Sequence, residues 1–285
     1  MQSAERFAET CGDAGELLAR LADPARGPIS AADVAIVVAH PDDETIGCGA
    51  ELPRLRSATI VLVTDGAPAN LHDARVHGFA TAESYARARA RELQRALQIA
   101  GMSPQRLVTL EVPDQQAAHR LLEITHRLVA LFSGRAIRVV LTHAYEGGHP
   151  DHDAVAFAVH AAAALLVRRG HALSIVEMPF YHLGASGMVP QVFASRDSPE
   201  VTVGLSDAEQ ALKRRMIAAH ATQQVTLAPF PIEAERYRRA PRYDFSKLPN
   251  GGRLLYEQHE WGLTGERWRT MAAAALDALG LGGLT

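Results

Sequence analysis

Cysteine is scarce in this 285-residue chain: only Cys11 and Cys48 are present, so a disulfide framework is not the design. Excess charge of one sign is missing too. Lys and Arg number 29 against 32 Asp and Glu, a formal net charge of −3, with no basic block anywhere. That argues against a nucleic-acid binder, whose phosphate contacts need clustered cations, and points to a substrate that is small or not strongly anionic. No apolar run is long enough to span a bilayer, so no transmembrane segment is expected. The stretch from Met1 to Ala22 carries Glu5, Glu9, Asp13 and Glu16, unlike the basic start and unbroken apolar core of a secretory signal. A cytoplasmic protein is expected.

What is present is a globular composition, 47% hydrophobic and 21% charged, with enough length for one substantial core. Short apolar runs at Val34 to Ala39, Thr59 to Thr64, Leu107 to Val112 and Val139 to Thr142 fit strands buried on both faces of a parallel sheet. Helical spacing lies between them. Ala86, Ala90, Leu93, Leu97 and Ala100 share a face before Gly101, and Leu121, Ile124, Leu128, Leu131 and Phe132 repeat the pattern before a stop at Gly134. A third helix is expected from Pro150 to Gly170, then a strand at Ser174 to Met178, a helix at Asp207 to His220 and a closing helix at Trp268 to Leu279. Strand alternating with helix predicts a layered, Rossmann-like α/β fold with a mostly parallel sheet flanked by helices. Residues 227–264 break the pattern. Rich in Pro, Arg and aromatics, they show no sustained period and read as an ordered loop that forms a cleft wall or a subunit contact, or else simply covers the sheet.

Two clusters carry chemistry. His40-Pro41-Asp42-Asp43-Glu44 follows the first expected strand, and Gly147-Gly148-His149-Pro150-Asp151-His152 follows the fourth and opens a helix. Ligands of open α/β sheets bind beyond the carboxyl ends of the strands, so the clusters can converge. His40, Asp43 and His152 form a two-histidine, one-carboxylate set suited to zinc with one open position. Asp42 is then free to act as a base. Zinc can lower the pKa of water to about 7, which is what attack on an unactivated amide requires. The same set also suits iron, as in non-haem oxygenases, but those have no evident use for a second free carboxylate.

At these residues the sequence resembles the LmbE-like, or PIG-L, family of zinc-dependent de-N-acetylases. The resemblance extends to Thr64-Asp65-Gly66, Arg89, Glu92, Pro113-Asp114, Lys213, His220 and Gln223. It covers about residues 32–224, within a single deacetylase domain spanning 1–285 whose C-terminal aromatic-rich elaboration occupies about 227–285. It implies that His40, Asp43 and His152 hold Zn2+ (Fe2+ or another divalent metal being the alternative). Asp42 is implied as general base, and His149 as the group that stabilises the oxyanion or protonates the leaving amine, with Asp151 orienting it. Asp114 resembles a residue that binds sugar hydroxyls. The implied reaction is hydrolysis of an N-acetyl group from a small N-acetylglucosamine-like amino sugar or glycoconjugate. An amidase acting on a non-sugar or thiol-conjugate substrate would use the same residues, whereas a non-catalytic sugar binder would not need Asp42 and His149.

His143 and Tyr145 are further candidates for lining the substrate site. Some sugar deacetylases carry a tyrosine immediately before the second motif, where this chain has Gly147-Gly148. Glu44 is expected to cap the next helix, Cys48 to be a small buried residue, and His182, His220 and Gln223 to be structural. A homo-oligomer is compatible with the sequence.

Overall fold

The computed structural model describes residues 12–259 and 261–282. Cys11 and the first half of the acidic N-terminal stretch, with Glu5 and Glu9, lie outside them. The strands are β1 Val34–Val38, β2 Thr59–Thr64, β3 Leu107–Val112, β4 Val139–His143, β5 Ser174–Met178, β6 Tyr181–Leu183, β7 Met188–Pro190, β8 Glu200–Gly204 and β9 Ala234–Arg239. Seven of them form one sheet in the order β3-β2-β1-β4-β5-β9-β8. The first five are mutually parallel, while β9 runs antiparallel to both β5 and β8. All residues of β1, β2 and β4 are buried, which explains why they read as unbroken Val- and Ile-rich runs instead of alternating ones.

The helices are α1 Ala14–Ala22, α2 Asp43–Cys48, α3 His72–Val76, α4 Ala82–Ile99, α5 Leu121–Gly134, α6 Pro150–Val167, α7 Asp207–Ala219, α8 Gln224–Leu227 and α9 Gly265–Ala278. One hydrophobic core fills each side of the sheet. The α4 helix starts four residues ahead of the apolar pattern, because Thr81 and Ser84 form a reciprocal capping box. It ends as expected: Gly101 turns at φ +74° while Met102 N–H donates to the Leu97 carbonyl at 2.9 Å. The α5 stop differs from expectation. Gly134 remains helical, and Ala136 takes the left-handed position at φ 51°, with Ile137 N–H closing on Phe132 O at 2.9 Å.

The segment expected to be a loop contains β9, which sits inside the sheet. Its sequence Ala-Glu-Arg-Tyr-Arg-Arg gives no apolar signal, because its buried charges are paired. Glu235 accepts from Lys213 Nζ at 2.8 Å, and Arg238 Nε donates to its cross-strand partner Glu177 at 2.9 Å. Among the described residues, no helix is long and apolar enough to cross a membrane.

Candidate active site

The carboxyl ends of β1 and β4 lie side by side, and each releases one motif. After β1 the chain turns sharply. His40 N–H donates to Asp43 Oδ2 at 2.7 Å, and the N–H groups of Asp42 and Asp43 both return to the His40 carbonyl. Asp42 is held at φ 158°, ψ −21°, backbone territory that L-residues rarely occupy and that recurs at functional sites. The turn leads into α2, whose six residues are all buried. After β4, Asp153 Oδ1 accepts the N–H groups of Glu146 and Gly147, folding the loop back onto the start of α6. Glu146 in turn accepts from Phe180 and Tyr181 N–H, and burial raises its pKa well above normal. Gly148 leaves room for the Tyr181 carbonyl, against which any Cβ would collide.

Three expected donors converge. His40 Nδ1 lies 3.1 Å from His152 Nε2 and 3.4 Å from Asp43 Oδ2, and His152 Nε2 lies 3.4 Å from Asp43 Oδ1. Ligands on a tetrahedral zinc, bound at about 2.0–2.1 Å, stand roughly 3.3 Å apart; the His40–His152 separation is close to this, and Asp43 turns a different carboxylate oxygen to each histidine. Two imidazole nitrogens aimed at each other need a proton or a cation between them. Burial, followed by the nearby His143, lowers the His152 pKa to about 3, which leaves its lone pair available. The donors therefore fit a divalent cation. Burial works against charge on His40, but Asp114, Asp151 and Asp43 outweigh it and raise that pKa well above normal. Its Nε2 faces Asp114 Oδ1 at 3.2 Å and Asp151 Oδ2 at 3.4 Å, the carboxylate backing typical of a metal-ligating histidine.

Asp42 is buried and accepts from Arg89 Nη2 at 2.8 Å. Burial, only partly countered by Arg89, brings its pKa up to about 7. Arg89 also donates to the carbonyls of Gly66 and Pro41, so the Thr64-Asp65-Gly66 segment acts as its seat. Gly66, at φ +66°, has no space for a side chain between Arg89 and Pro41. His149 caps α6, its Nδ1 accepting Asp151 N–H at 3.1 Å. The Asp151 carboxylate does not bond the His149 ring as expected. It accepts from Gln115 and Ala117 N–H and faces His40.

These groups open into a cleft of about 350 Å³. His40, Asp42, Asp43, His149, His152 and Asp114 all border it, whereas His143 and Tyr145 do not. His143 is fully buried behind the cluster. Its Nε2 accepts Ala39 N–H at 2.9 Å and lies 3.4 Å from Asp43 Oδ2. Tyr145 points away, its hydroxyl donating to Lys247 O and accepting from Trp268 Nε1. Glu44 is not a cap: its buried carboxyl accepts from Thr45 Oγ1, and burial pushes its pKa up to about 8. Cys48 is buried, and His182 lies outside the cleft lining while its neighbours Phe180 and Tyr181 are part of it. Gln223 also reaches the cleft. His259 and Trp261 border it from the aromatic segment, and Asp73 does so from α3. Neither spacing nor periodicity singles these three out. A larger groove of about 1360 Å³ between α4 and α7 contains none of the clustered groups.

The mostly parallel sheet thus carries a histidine–aspartate cluster at the carboxyl ends of its parallel strands. Residues 35–163 match the family model "PIG-L: GlcNAc-PI de-N-acetylase", in agreement with the resemblance to the PIG-L, or LmbE-like, family carried by the two motifs. Solved structures share the fold. The A40926 pseudoaglycone deacetylase is 19% identical, with a TM-score of 0.57 over 75% of this chain and 98% of its own. A zinc-inhibited form of teicoplanin deacetylase is 16% identical, with a TM-score of 0.56 over 74% and 98%. The N,N'-diacetylchitobiose deacetylase from Pyrococcus horikoshii, complexed with an inhibitor, is 17% identical, with a TM-score of 0.53 over 73% and 83%. No curated protein matches the chain.

Proposed function

We propose that this protein is a metal-dependent hydrolase that removes an N-acetyl group from an amino-sugar-containing substrate. The observation that carries the reading is the convergence of His40, Asp43 and His152, with Asp42 and His149 bordering the same cleft. His40 Nδ1, His152 Nε2 and the Asp43 carboxylate would hold the cation, zinc by ligand type with iron(II) as the alternative. A divalent cation there supplies Lewis-acid polarisation of the amide carbonyl and acidifies water.

The side chains do the rest. Asp42, its pKa brought near neutrality by burial and its position held by Arg89, takes the proton from the attacking water. Because His149 Nδ1 accepts a backbone N–H, the proton of the neutral ring resides on Nε2. That N–H donates to the developing oxyanion or the departing nitrogen, where charge appears only in the transition state. Asp114 borders the cleft and is suited to accept from sugar hydroxyls. The matching family model is named for de-N-acetylation of GlcNAc-PI, and one deacetylase that shares this fold is named for N,N'-diacetylchitobiose, which supports the substrate class.

One wall of the cleft is apolar, with Ile46, Phe180, Met188, Leu227, Phe230 and Leu255. It favours a substrate with an apolar portion beside the acylated nitrogen, and keeps a non-sugar N-acyl compound as the second reading. The test is acetate release from a panel of N-acetylated amino sugars and their glycosides, comparing zinc-loaded wild type with Asp42→Asn. Release should fall by about 10²- to 10⁴-fold in the variant while metal content persists. A metal-loaded wild type that releases acetate from no member would refute the sugar assignment, and absence of bound metal would refute the mechanism.

A further inference from the structure

Among the described residues, His149 has one hydrogen bond to locate its ring, the one its Nδ1 accepts from Asp151 N–H. A single bond leaves an imidazole free to tilt about it, so the ring faces must supply the remaining restraint. On one side His40 meets it edge-on, with centroids 4.5 Å apart and planes at 85°. His152 lies near it as well, with centroids 5.3 Å apart at 42°, and a third contact comes from far along the chain. The Trp261 ring lies 4.5 Å from the His149 centroid at 46°, and His259 stacks on Trp261 at 4.3 Å and 14°. This part of the chain is seated on the same loop as His149: Leu255 N–H donates to Gly147 O at 2.8 Å, and a Cβ on Gly147 would meet Leu254 Cδ2 at 2.8 Å. Trp261 lies well beyond residues 35–163, the segment that matches the family model.

We propose that Trp261 is a positioning residue for His149, holding the imidazole so that its Nε2–H faces the cleft. The inference rests on the proposed acid or oxyanion role of His149. Indole is suited to the task on two counts. Its broad face restrains the ring without competing for either nitrogen, and the polarised edge of the imidazole packs favourably against an aromatic face. His259, stacked on Trp261, stiffens the restraint from the rim of the cleft.

The test uses the zinc-loaded full-length protein, as wild type, Trp261→Ala and Trp261→Phe. Trp261 is partly exposed, so its truncation leaves the core intact. Loss of positioning should lower kcat for acetate release by about a hundredfold with KM little changed, and the phenylalanine should recover most of it. The second readout needs no substrate. Long-range ¹H–¹⁵N spectra of the His149 ring should show one Nε2–H tautomer in wild type and in Trp261→Phe, and an averaged ring in Trp261→Ala. A His149 signal unchanged in Trp261→Ala overturns the proposal, whatever the activity. A rise in KM alone also overturns it, making Trp261 a substrate wall. Failure of wild type to release acetate refutes the functional reading separately, and the spectra then decide the positioning role on their own.

Discussion

Single residues in this site are constrained by backbone as much as by chemistry. Gly148 illustrates this. Its Cα faces the Tyr181 carbonyl so closely that a methyl group would overlap it, and a carbonyl held by strand geometry cannot yield as a flexible side chain would. Gly148→Ala should therefore destabilise the protein by about 1–3 kcal/mol and impair acetate release, because the displaced loop carries His149. Chemical denaturation together with a kinetic assay would check both effects. His220 offers a pH-dependent counterpart. Buried against α2, with Thr45 Oγ1 at 3.2 Å from its Nε2, it has a pKa lowered to about 3, first by burial and then by Arg89. In the unfolded chain it titrates near the ordinary value of 6.5. The unfolded state thus binds a proton that the folded state refuses, and stability should drain away as pH falls from about 6.5 towards 3. His220→Gln should flatten that part of the curve, measured as Tm against pH for the two proteins. Equal slopes would show that His220 does not contribute.

At the scale of elements, α2 shows how a six-residue helix holds the Asp43 carboxylate still. The Ile46 carbonyl receives Lys213 Nζ at 2.8 Å and Gln191 Nε2 at 2.7 Å, while Lys213 also pairs with the fully buried Glu235 of β9. Glu235 further accepts Ala50 N–H and the Tyr237 hydroxyl. One buried ion pair thus ties α7, β9 and α2 together behind Asp43. Lys213→Met should cost about 3–5 kcal/mol, because Glu235 would be left charged and unpaired in the core. Lys213→Met with Glu235→Gln should recover part of that loss. Denaturation midpoints of the single and double variants measure the difference, and equal midpoints would exclude a pairing role. The same element explains why β9 escaped sequence reading: hydrophobic periodicity detects only strands that bury apolar side chains, and this one buries Glu235 and Arg238 with their partners. The α4 start was missed for a related reason, since a Thr-Ser capping box has no apolar residue to mark it.

For the whole molecule, the site gathers four histidines and several carboxylates in a largely water-excluded pocket at the sheet edge. A bound divalent cation would relieve this crowding, so the folded state should gain from binding it. Zinc at a hundredfold excess over its Kd should add about 3 kcal/mol of stability. Chelation should lower Tm, and His152→Ala should abolish the zinc response. A Tm indifferent to zinc and chelator would count against a metal centre here.

The sequence by itself determined the alternation of strands and helices, the five parallel strands to within a residue, and the location of both motifs at strand ends. These depend on side-chain periodicity and turn chemistry, which act over a few neighbouring residues. It also brought His40, Asp43 and His152 forward as one set, because two motifs at adjacent strand ends have few other places to meet. Only the tertiary structure decided what each side chain faces. Asp151 follows His149 by two residues, and positions two apart at a helix start point to different sides, so its carboxylate turned to His40. His143 lies one residue short of the loop and was drawn behind the cluster. Trp261 came to rest against His149 from more than a hundred residues away, a contact that depends on packing across the whole domain and leaves no trace in local pattern.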